Sequence, residues 1–157
     1  MSLLKTLALA VDVASRKRDA AYRALGQAQQ KYMAAHDQLT QLETYASETE
    51  TRWMTQAQAC AVPELMQHHY QFMERLAQAI QMQLGILADN ARWVEAAKKQ
   101  LADAEIRVAT LQQVCRNKQL EADRLQNRRE QKQIDEFAAQ RFGKSIDQLF
   151  GEDSHGH

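Results

Sequence analysis

From Met66 to Gln140 the chain has no proline and a single glycine, Gly85. Alternating steps of four and three through this stretch pick out His69, Met73, Leu76, Ile80, Gln83, Leu87, Asn90, Val94, Ala97, Leu101, Ala104, Val108, Leu111, Cys115, Lys118, Ala122, Leu125, Arg129 and Lys132. Thirteen of these nineteen positions are apolar, and the register does not slip. A strand needs period 2, and a helix on a globular core carries a broader apolar face. A sustained period of 3.5 specifies a coiled-coil seam. At ~1.5 Å per residue the expected helix is on the order of 110 Å long. One apolar stripe on a lone helix would stay wet, so this helix needs a partner.

The partner lies upstream. The same alternation from Leu4 gives Leu7, Val11, Ala14, Arg18, Ala21, Leu25, Ala28, Tyr32, Ala35, Leu39, Leu42, Ala46, Thr49 and Trp53, with thirteen of the fifteen apolar. Between the two seams the pattern breaks at Ala59-Cys-Ala-Val-Pro-Glu64. Pro63 is excluded from a helix interior but suits a first turn, where Glu64 complements the helix dipole. Short connections join antiparallel neighbours. The sequence therefore predicts an all-α fold, a long antiparallel two-helix coiled coil (an αα-hairpin) with unequal arms. Its expected bounds are 1–142, with helix one at about 3–58, a turn at about 59–63 and helix two at about 64–142. The first arm runs out opposite roughly Lys118 to Glu121, and the remaining seam carries Arg129 and Lys132. Gly143 marks the expected end of helix two. A flexible tail, with one possible amphipathic turn from Ser145 to Phe150, is expected over 143–157.

Composition narrows function further. Aromatics make up 6% of the 157 residues and proline occurs once, which fits extended helix with little core to fill. The formal charge is zero, which argues against a nucleic-acid partner, and no apolar run is long enough for membrane insertion. The charge is nonetheless segregated. Residues 1–36 carry six basic and two acidic side chains, 37–95 three and eight, 96–144 eleven and seven, and the last thirteen sum to −3. The expected hairpin has a basic open end and an acidic tip. Arg16, Lys17, Arg18 and Arg23, with Lys98 and Lys99 across the hairpin, form a phosphate-binding candidate that lacks the stacking aromatics of a nucleic-acid surface. Cys60 and Cys115 fall too far apart along the hairpin to pair, which points to a reducing compartment, the cytoplasm.

No catalytic constellation, cofactor motif or metal site is legible. There is no phosphate loop, no HExxH and no paired CxxC. His68 and His69 diverge by about 100° on a helix and do not chelate together. His155 and His157 form an HxH suited only to adventitious metal. One strip invites a partner instead. Gln38, Leu42 and Tyr45 on helix one fall level with Phe72, Leu76 and Ala79 on helix two. Leu42 and Leu76 belong to the seam, whereas Gln38, Tyr45 and Phe72 lie off it, and an exposed Tyr beside an exposed Phe suits protein contact. Trp53 fits the seam near the tip and Trp93 flanks it.

Three stretches carry a family resemblance: the Leu-rich start from Leu3 to Val13, the block from Tyr70 to Ile80 (Tyr-Gln-Phe-Met-Glu-Arg-Leu-Ala-Gln-Ala-Ile), and the run from Asn127 to Ala138 (Asn-Arg-Arg-Glu-Gln-Lys-Gln-Ile-Asp-Glu-Phe-Ala). In these, and in length and layout, the chain to about Arg141 resembles the FliJ family of flagellar type III export proteins. The resemblance implies a non-enzymatic coiled coil similar to the central stalk of rotary ATPases. It implies that the open end enters the ring of the flagellar export ATPase and promotes its hexamer, through Leu4, Leu7, Val11, Arg16, Arg18, Arg128, Arg129, Lys132 and Phe137. It implies that the strip Gln38, Leu42, Tyr45, Phe72, Leu76 and Ala79 meets the cytoplasmic domain of the export-gate membrane protein, with Thr49 and Gln83 standing where the family strip has further polar or aromatic members. Export chaperones are further implied partners, and peripheral association with the inner-membrane export apparatus the implied location. Three alternatives stay open: the equivalent stalk of a virulence type III secretion system, an unrelated coiled-coil scaffold, and a nucleic-acid-binding rod, whose binding would be steeply salt-dependent.

Overall fold

The computed structural model describes residues 2–59 and 62–152. Two helices account for nearly all of them: α1, Leu3–Ala59, and α2, Pro63–Glu152. Each start has a physical cause. At α1, the Ser2 hydroxyl accepts from the Lys5 amide at 3.3 Å and the Ser2 carbonyl accepts from the Thr6 amide at 3.2 Å, so Ser2 is an N-cap. At α2, the Val62 carbonyl accepts from the Met66 amide at 3.1 Å, which places Pro63 at the first helical position, where its missing N–H costs nothing. Glu64 follows in the first turn.

The chain divides into two compact units, Val13–Val108 and Met1–Asp12 with Ala109–His157. Within Val13–Val108 the helices run antiparallel: Ala35 meets Gln83, Tyr45 meets Phe72 and Trp53 meets His69, so numbers that rise along α1 meet numbers that fall along α2. The seam is the line of burial. Every seam position from Ala14 to Trp53 and from His69 to Val108 is buried or half-buried. Among the described residues no side chain is fully enclosed, because two helices cannot surround a residue on all sides. Each Leu, Ile, Val or Met of the seam therefore contributes toward the low end of the ~1.5–3 kcal/mol of full burial, and each Ala about 0.8 kcal/mol or less. Ala14, Ala35 and Ala97 are among the most covered, which lets the backbones approach closely.

In the other unit, Leu4, Leu7, Val11, Leu111, Cys115 and Lys118 are half-buried. From Gln119 to Gly151, Ile146 is the one side chain that is not exposed. This segment of α2 has no partner helix among the described residues and is held by its own surface. Gln119 donates to Asp123 at 3.0 Å, Gln126 to Glu130 at 3.1 Å and Gln131 to Asp135 at 3.0 Å, all four residues apart. Such pairs stabilise a helix by about 0.2–0.5 kcal/mol each.

The expected stop at Gly143 is absent, and α2 continues to Glu152. Among the described residues no glycine adopts positive φ, so Gly143 keeps a helical backbone instead of the left-handed cap. No proline follows to enforce a stop, and Lys144, Gln148 and Leu149 favour helix. The rest of the expected tail, from Asp153 on, lies outside the described residues, as does the HxH of His155 and His157.

Candidate functional site

Two surfaces gather the sequence-predicted residues, one in each unit. In Val13–Val108 the strip divides into an inner and an outer row. Leu42 and Leu76 form the inner row: Leu76 is 8% exposed and Leu42 half-buried, and both sit in the seam. Gln38, Tyr45, Phe72 and Ala79 form the outer row, which is reachable from solvent. Tyr45 and Phe72 are 49% and 40% exposed and meet edge to face, with ring centroids 6.1 Å apart. Such a pair is worth ~0.5–1.5 kcal/mol beyond burial and holds both rings in place before any partner arrives. The inner row thus fixes the spacing of the helices, and the outer row offers aromatic area with polar Gln38 beside it.

Gln83 does not extend this surface. It is buried, and its side-chain Nε2 donates to the Ala35 carbonyl at 2.9 Å. Thr49 is half-buried in the seam. Nearer the tip, Trp53 lies flat on His69 at 4.3 Å between centroids and 9° between planes. His69 is therefore part of the packing, whereas its neighbour His68 points to solvent.

Of the open-end residues, Arg16 and Arg18 belong to this same unit. Arg18 pairs with Asp19 at 3.2 Å, and Lys98 pairs with Glu95 at 3.3 Å. Two cations of the phosphate-binding candidate are thus matched by carboxylates on their own helices. Exposed pairs of this kind contribute ~0–1 kcal/mol and tie α1 to α2 very little.

In the other unit, Leu4, Leu7 and Val11 sit half-buried on the seam, and Ala8 and Val11 line a shallow groove with Gln112, Cys115 and Arg116. Cys115 is a free, half-buried thiol, and Cys60 lies outside the described residues. Further along α2, Arg128, Arg129 and Lys132 are exposed, as is Phe137 at 62%. Ile134 and Phe137 line a shallow depression with Glu130 and Gln133, and the Arg141 guanidinium lies 5.6 Å from the centre of the Phe137 ring. Apolar side chains and cations stand here among carboxylates on a helix segment with no cover among the described residues, a surface suited to a protein partner. Sequence reasoning did not single out Ile134, although its spacing of three from Phe137 was available.

Among the described residues no cluster of His, Cys, Asp and Glu is placed to hold a metal. No helix is long and apolar enough to cross a membrane, again among the described residues.

The family model described as Flagellar FliJ protein matches residues 4–146 of the chain. No curated protein and no solved structure matches it. The matched span takes in both helices, the outer row around Tyr45 and Phe72, and the uncovered part of α2 as far as Ile146. This chain belongs to the FliJ family, a family of non-catalytic components of flagellar protein export.

Proposed function

We propose that the protein is a coupling rod of the flagellar type III export apparatus and supports motility in that way. The exposed end of α2, with Arg128, Arg129, Lys132 and Phe137, and the start of α1, with Leu4, Leu7, Val11, Arg16 and Arg18, engage the export ATPase ring and promote its hexamer. The strip of Gln38, Leu42, Tyr45, Phe72, Leu76 and Ala79 engages the cytoplasmic domain of the export-gate membrane protein. Export chaperones are handled by the same protein. It works at the inner-membrane export apparatus from the cytoplasmic side, without inserting into the bilayer.

The observation that carries this reading is the contrast along α2. Its seam is covered as far as Lys118 and uncovered from Gln119 on, while the helix itself continues to Glu152. A long uncovered helix with apolar and cationic side chains is the part of a coiled coil that a second protein can clasp. The test is ATP hydrolysis by the cognate export ATPase with and without the protein, together with sizing of the mixture. Stimulation with a hexamer-sized complex is expected. Neither stimulation nor a complex would leave a coiled-coil scaffold with no ATPase partner.

A further inference from the structure

The outer row on α2 does not end at Ala79. Leu65, Phe72, Ala79, Ile86 and Trp93 recur every seventh residue, one position before the seam, and all but the half-buried Ala79 are exposed. Ile86 is 48% exposed and Trp93 60%. Met82, exposed as well, stands between Ala79 and Ile86. The position beside a seam is ordinarily charged or polar. Five apolar residues in succession there make a second stripe alongside the one that α1 covers.

The register of Val13–Val108 defines the other wall. Tyr45 faces Phe72. Stepping away from that pair one heptad at a time brings Gln38 level with Ala79, Lys31 with Ile86 and Ala24 with Trp93. These rows flank one side of the seam, the side on which a third helix packs into the groove of a three-stranded coiled coil.

Charge selects the occupant. The carboxylates bordering the groove are matched by cations of their own helices: Glu48 pairs with Arg52 at 3.9 Å, and Asp89 pairs with Arg92. The cations Lys31 and Arg75 are exposed and make no ion pair among the described residues. An apolar groove bordered by two unmatched cations favours an apolar stripe flanked by carboxylates.

We infer that this groove, reaching past the Tyr45–Phe72 pair to Ile86 and Trp93, is the seat of an acidic amphipathic helix from a partner protein, with Lys31 and Arg75 meeting its carboxylates. The inference deepens the gate half of the proposed function, and rests on it for the identity of the partner but not for the chemistry of the groove.

Trp93 supplies the readout. The chain has two tryptophans, so Trp53→Phe leaves Trp93 as the sole indole in the full-length protein. Two probes are titrated into that variant, once circular dichroism has confirmed its helicity. One is a synthetic peptide of about four heptads with Leu on the seam and Glu at the flanking positions, and the other is the cytoplasmic domain of the export gate. Both are expected to move Trp93 emission saturably to shorter wavelength and to compete with each other. Lys31→Glu with Arg75→Glu is expected to weaken both by roughly tenfold or more. The inference is overturned if neither probe moves the emission, if a peptide with Lys in place of Glu binds equally well, or if the charge reversals change nothing. Gate-domain binding that leaves Trp93 emission unmoved would keep the gate reading and overturn the extended groove. Peptide binding with no gate-domain binding would keep the acidic-helix groove and overturn the gate reading.

Discussion

The side-chain amide of Gln83, buried in the seam of α2, donates to the backbone carbonyl of Ala35 on α1 at 2.9 Å. The contact depends on both residues. Gln83 has the reach, and Ala35 has a side chain small enough to leave its own carbonyl accessible. A polar seam residue of this kind fixes which layers of a coiled coil face each other, because any slip leaves the amide buried without an acceptor. Gln83→Ala should lower stability by about 1–2 kcal/mol, from the lost hydrogen bond and the space left behind. Gln83→Leu should keep helicity and thermal stability within about 1 kcal/mol of the parent but loosen pairing specificity. Thermal denaturation followed by circular dichroism, with sizing for misregistered dimers, checks both. A strictly monomeric Gln83→Leu with sharper unfolding would show that the contact does not set register.

The two rows of the strip should separate experimentally. Tyr45→Ala and Phe72→Ala remove side chains that are substantially exposed, and each should cost about 1 kcal/mol or less of stability. Combined, they should abolish capture of the export-gate cytoplasmic domain while leaving the helical spectrum intact. Leu76→Ala acts on the packing instead, and should destabilise by about 2–3 kcal/mol. If the double variant still captures the gate domain at parental affinity, the exposed aromatic pair is not the contact.

At the far end of α2 the expected pattern is reversed. Ile134→Ala and Phe137→Ala remove large exposed side chains from a segment without a partner helix. Stability should change by less than about 0.5 kcal/mol, as at surface sites generally. Stimulation of the export ATPase should fall severalfold. A variant pair that stimulates fully would place the ATPase contact elsewhere on the chain.

Gly85 offers a stabilising change. It is exposed in mid-helix, and a Cβ built there meets nothing within 4 Å. Gly85→Ala should raise stability by about 1 kcal/mol through helix propensity and a less flexible unfolded chain. Denaturant unfolding measures this directly, and a variant no more stable than the parent would show that helix propensity does not decide stability at this position.

The two-helix layout was legible because it follows from a single repeated quantity. The 3.5-residue period located each seam, and Pro63 located the break. Burial then follows those positions through Trp53 on one helix and Lys118 on the other. Contacts that depend on the relative rotation of the helices were not legible. Counting from the break already set Tyr45 beside Phe72, but the edge-to-face angle of their rings and the reach of Gln83 to a carbonyl depend on a rotation that no one-dimensional pattern states. Gly143 misled for a different reason. A glycine permits a left-handed stop but does not require one, and the residues after it favour continuing the helix. The row through Ile86 and Trp93 was visible in principle as an apolar residue recurring every seven positions. It was hidden by the stronger seam beside it.

The glutamine–carboxylate pairs along the uncovered part of α2 bear on how fast and how tightly that segment can associate. Each links residues one turn apart, so the order they confer depends on no other part of the protein. A partner of the kind proposed would meet a segment that is already helical. The entropy of ordering it is not charged against the affinity, and no folding step delays the encounter. A small contact there can therefore be both quick to form and readily released, as repeated engagement with a cycling machine would require.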